Sequence, residues 1–62
     1  MLMVYTDQVS PSVLRVYLND EGVGTVEMLH DGLLYWATPV DGRPRKACDE
    51  QDRAISYLLS GW

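Results

Sequence analysis

The sequence predicts an α+β fold: a three-stranded antiparallel β-meander, four-stranded if residues 41–48 also pair, followed by one C-terminal α-helix packed on one sheet face. Three observations carry this. Asp20-Glu21-Gly22, Asp31-Gly32 and Asp41-Gly42 recur at ten-residue intervals, and Asp beside Gly tolerates the positive φ of tight hairpin turns. Between these turns, apolar and polar residues alternate with period two, the pattern of a strand with one buried and one wet face. After Asp49 the period becomes helical, with Ala54, Ile55, Leu58 and Leu59 on one stripe.

Taken in order, residues 1–12 are an extended N-terminal segment or an extra edge strand. Leu2 to Thr6 suits a strand, whereas Asp7 to Ser12, with Pro11, reads as turn or loop. The meander spans 13–40. Its first strand, Val13 to Leu18, sets Leu14, Val16 and Leu18 on one face and Val13, Arg15 and Tyr17 on the other. Asn19 to Gly22 turns the chain. The second strand, Val23 to Leu29, opposes Val26 and Met28 to Thr25 and Glu27, and Gly24 within it marks a bulge. His30-Asp31-Gly32 is the second turn. The third strand, Leu33 to Val40, is apolar on both faces. Residues 41–48 form a connector, and 49–60 the helix, with Asp49 as cap and Glu50 and Asp52 in the first turn, where the macrodipole favours negative charge. Gly61 takes the C′ position, and Trp62 folds back over Tyr57. The expected core is Leu14, Val16, Leu18, Val26, Met28, Leu34 or Trp36, Ile55, Leu58 and Leu59.

The whole is a single domain. A chain of 62 residues buries only about 60% of its unfolded surface, leaving one small core and marginal stability. One cysteine, Cys48, excludes an intramolecular disulfide. His30 and Cys48 alone cannot build a closed zinc site. Oligomerisation or a larger partner is the remaining source of stability, and a homodimer is one form of it. The lone cysteine and the absence of a basic or long apolar leader suggest a cytoplasmic protein. The longest apolar run, Leu33 to Ala37, is far below the ~20 residues of a membrane span.

No catalytic, cofactor-binding or metal-binding residue is expected. His30 beside Asp31 resembles a base and its orienting carboxylate, but neighbours in a tight turn seldom converge, and a turn histidine is the better reading. Cys48 sits near a helix start that lowers thiol pKa, but nearby carboxylates oppose a thiolate. Volume also argues against an enzyme, because a drug-sized cavity would hollow out so small a core.

Two binding surfaces compete instead. The chain carries two Trp and four Tyr but no Phe; Tyr and Trp are enriched at binding hot spots. Tyr35 and Trp36 must point to opposite sheet faces, so one of them joins Tyr17 on the face the helix leaves uncovered, unless residues 1–6 fold back over it. Asp20, Glu21, Glu27 and Asp31, expected near the first two turns with Asp41 at the opposite end, would orient a partner electrostatically. These six residues, Tyr17, Tyr35, Trp36, Asp20, Glu21 and Glu27, mark a non-catalytic module that binds a larger protein through an open sheet face or strand edge. Small acidic chains of this kind are common among phage and mobile-element products that inhibit or redirect host proteins. The alternative is a small nucleic-acid-binding domain using Arg15, Arg43, Arg45 and Lys46, where cations beside aromatic platforms would grip phosphate and stack bases. A formal charge of −4 disfavours it, because phosphate neutralisation supplies most such affinity.

Overall fold

A computed structural model of the chain describes residues 2–60. Val4–Ser10 (β1), Val13–Leu18 (β2), Glu21–Leu29 (β3), Leu34–Pro39 (β4) and Lys46–Cys48 (β5) form one antiparallel sheet in chain order. Gln51–Ser60 (α1) packs across one face. The small α+β meander is thus as expected, with five strands rather than three or four. The N-terminal segment supplies β1, and the connector supplies β5. β1 also runs on to Ser10, where sequence suggested a loop from Asp7, because the reversal needs only Pro11-Ser12.

Local chemistry sets the turns. Asn19 and Asp20 both have positive φ, 50° and 71°, so the β2–β3 hairpin is a two-residue connection of the kind whose twist matches paired strands. Glu21 and Gly22, expected in that turn, already belong to β3. The β3–β4 connection is a 3-10 turn over His30–Gly32, with all three residues at positive φ. A register shift between Val16 and Tyr17 makes Val23 the extra residue of a bulge beside Gly24.

The core is a single cluster of Val16, Val26, Ala37, Cys48, Ala54, Tyr57 and Leu58, flanked by Leu14, Val23, Tyr35, Ile55 and Leu59. Leu34 and Trp36 are not in it. Val26 pairs with Ala37 and Met28 with Tyr35, so odd-numbered β4 residues face the helix and even-numbered ones face away. Met28 lies on the helix face yet stays 39% exposed. Small residues at the seam let α1 come close: a Cβ on Gly24 would meet the Thr38 carbonyl oxygen and lie 2.6 Å from Leu58 Cδ2. The expected cap residue Asp49 lies just before α1 and pairs with Arg53 at 3.5 Å, both side chains largely solvated. The predicted roles of Gly61 and Trp62 fall outside the described residues.

Strands about 4.8 Å apart make this platform roughly 19 Å wide, whereas a helix is ~10 Å across. One helix therefore roofs about half of it. α1 contacts β3, β4 and β5, reaches β2 more thinly and does not touch β1. Among the described residues no helix is long and apolar enough to cross a membrane.

Candidate functional site

Antiparallel register fixes what stands on the sheet face opposite α1. Tyr5 pairs with Tyr17 and Asp7 with Arg15, next to Thr25 and Thr38. Val13, Glu27, Trp36 and Ala47 form another row across β2 to β5. The leading segment does not fold across this surface. It extends the sheet sideways as β1, and no described element covers the face.

Two aromatic features anchor it. At the β1 side, the Tyr5 and Tyr17 rings stack with centroids 4.9 Å apart. The Tyr5 hydroxyl donates to Asp20 Oδ1 at 2.9 Å, and that bond raises its pKa, since ionising the phenol would set two anions against each other. At the β5 side, the Arg45 guanidinium lies 4.2 Å from the Trp36 ring centroid, a cation–π contact. Trp36 and Tyr17 are partly exposed, Tyr5 more so. Between them the charges balance: Asp7 and Glu27 against Arg15 and Arg45.

The structure divides the predicted site residues. Tyr17, Trp36 and Glu27 share the open face. Tyr35 is on the other side, packed against the core beside Leu14 and Met28, so it shares no surface with Tyr17 and Trp36. The acidic turns are also rearranged. Consecutive hairpins alternate ends, so Asp20 and Glu21 sit at the same end as Asp41, and Asp31 is at the far end; Glu21 and Asp41 line one shallow depression with Arg43.

The basic run is split likewise. Arg43 turns to the helix: Nη1 donates to the Tyr57 carbonyl at 2.9 Å and Nη2 to the Leu58 carbonyl at 3.0 Å, while Nε reaches both Asp41 carboxylate oxygens at 2.9 and 2.8 Å. This holds the Asp41 carboxyl below the usual range. Arg43 is thus a C-terminal clasp for α1, supplying donors to carbonyls that a helix end leaves free. Lys46 lies on the helix side, with Nζ 5.4 Å from the Tyr57 ring centroid. Only Arg15 and Arg45 of the four predicted cations stand on the open face.

Tyr5 was missed by sequence reasoning. A reversal at Pro11-Ser12 by itself sets position 5 opposite position 18; the bulge between Gln8 and Ser10 shifts the register by one and brings Tyr5 opposite Tyr17, a shift with no signal in the sequence. His30 is exposed in its turn, and Cys48 is buried at the end of β5. A depression of about 640 Å3 runs along β5 and α1 past Leu33, Leu34, Lys46 and Arg53, and His30 is not part of its lining. No cluster of three metal-ligating side chains occurs among the described residues. Comparisons with protein-family models, curated proteins and solved structures found no match to this chain.

Proposed function

We propose that this chain is a non-catalytic protein-interaction module that docks a larger protein on its open sheet face, as inhibitors and adaptors of phage and mobile elements do. The supporting observation is the uncovered face itself, with the Tyr5–Tyr17 stack and the Arg45-capped Trp36 on one surface. Rigid aromatics with few torsions lose little entropy on docking, and Trp, Tyr and Arg dominate interface hot spots. Asp20 and Glu21 at one end orient the approach. A reducing cytoplasm suits the buried free thiol of Cys48.

Capture of a partner from extracts of the native host, with the product identified by mass spectrometry, tests this. Trp36→Ala together with Tyr17→Ala is expected to lose the partner while circular dichroism stays native, and the conservative Tyr35→Phe to retain it. Retention by the double variant would place the site elsewhere. A nucleic-acid reading has one observation in its favour, Arg15 and Arg45 on the same face as Trp36 and Tyr17. It requires salt-sensitive DNA or RNA binding, lost in Arg15→Ala and Arg45→Ala and unchanged in Arg43→Ala.

A further inference from the structure

The two edges of the sheet differ. β5 is three residues long and carries Lys46, features that blunt an edge against further pairing. β1 is seven residues long, has Asp7 as its one charge, and touches only β2. The approach to it is apolar: Leu2 is 76% exposed, Met3 60% and Val4 48%. Up to the bulge between Gln8 and Ser10, residues 4–8 form a regular exposed edge strand, and such an edge is a template for another strand.

Backbone direction shows which groups it offers. The Asn19 amide donates to the Met3 carbonyl at 2.9 Å, and the Met3 amide donates to Asn19 Oδ1 at 2.9 Å. Met3 therefore points both backbone groups towards β2. Antiparallel ladders alternate, so Tyr5 and Asp7 do the same, and Val4, Thr6 and Gln8 direct their N–H and C=O groups outward from the sheet.

We propose that this edge pairs with β1 of a second copy of the chain, antiparallel about a two-fold axis through Thr6. Thr6 then faces Thr6 of the partner, Val4 faces Gln8, and Gln8 faces Val4, so every outward group of these three residues is bonded. Tyr5 faces Asp7 across the axis. A register centred one residue later sets Asp7 against Asp7, like charges directly opposite, which is destabilising. A register centred one residue earlier leaves Gln8 without a bonded partner within the strand. β1 thus has one register that bonds all three outward residues and keeps the two Asp7 carboxylates from facing each other. Because β5 is blunt, assembly closes at two copies, with both open faces on one side of a continuous ten-stranded sheet. A chain too small to hold much core gains its missing stability this way.

Light scattering or sedimentation equilibrium over a wide concentration series tests this on the full chain. The expected mass rises towards twice the 7.0 kDa of one copy. Thr6→Pro removes an outward donor and no internal one, so it is expected to stay at 7.0 kDa with native circular dichroism. Thr6→Cys reports the register without relying on a loss. Residues at the axis lie about 5.5 Å apart between Cα atoms, within disulfide range, so mild oxidation yields a covalent dimer. Val4→Cys, roughly 13 Å from its symmetry mate at ~3.3 Å per residue, does not cross-link. A wild-type chain that stays monomeric throughout overturns the proposal. So does a dimer indifferent to Thr6→Pro, or cross-linking equal at positions 4 and 6. Trp36→Ala leaves the dimer intact, so this test and the partner-capture test fail independently.

Discussion

At the scale of single residues, two positions hold the layers together. Gly24 is where α1 meets the sheet, and nothing larger fits between Thr38 and Leu58. Gly24→Ala is expected to lose about 1–3 kcal/mol or more, the usual cost of overpacking, read from the urea midpoint. Arg43 binds the last turn of α1 to the β4–β5 connector. Replacing it with Met keeps the stacking volume over Tyr57 but removes the charged donors, an expected loss of roughly 1–3 kcal/mol. The Asp41 partner adds a pH signature. Its folded pKa is depressed, so its contribution is complete above the ordinary aspartate value near 3.9 and fades as pH falls through the lower folded value. Melting curves of wild type and Asp41→Asn should therefore differ at neutral pH and converge in acid.

At the scale of elements, turn chemistry decides strand boundaries. Positive φ at both Asn19 and Asp20 is tolerated by Asn and Asp and strained for β-branched side chains. Asp20→Val is expected to cost about 1–3 kcal/mol through that strain and to free the Tyr5 hydroxyl, returning its titration towards that of an exposed phenol, observable by ultraviolet absorbance. Asp20→Gly tolerates positive φ and removes the acceptor, which separates the two effects. The helix was legible as an element because Ala54, Leu58 and their neighbours repeat at its period. β1 was only half legible. Its residues are exposed on nearly every side, so burial imposes no alternation on the sequence, and only pairing with β2 makes it a strand.

At the scale of the whole molecule, stability rests on one cluster. A 62-residue domain at 0.05–0.15 kcal/mol per residue has roughly 3–9 kcal/mol in total. Leu58 is 2% exposed at its centre, and Leu→Ala at such a site costs about 2–5 kcal/mol. Leu58→Ala is therefore expected to remove a large share of that total and lower the melting temperature sharply, whereas Trp36→Ala on the open face leaves the fold intact. Calorimetry of the two variants compares the faces directly. The asymmetry follows from there being one helix for two sheet faces among the described residues, so one face carries the core and the other remains a surface.

The α+β class, the order of the meander, the helix and the presence of Tyr17 on a wet face were all legible before folding was considered, because they follow from local period and turn chemistry. Tertiary structure alone decided that Trp36 faces out and Tyr35 in, that Arg43 clasps the helix while Arg45 caps Trp36, and that residues 4–10 widen the sheet instead of covering it. Those outcomes depend on register and on how closely a helix approaches its sheet. Both are set by contacts between residues far apart in the chain, where the small side chains at 24, 37 and 54 outweigh the greater hydrophobicity of Trp36 and Leu34.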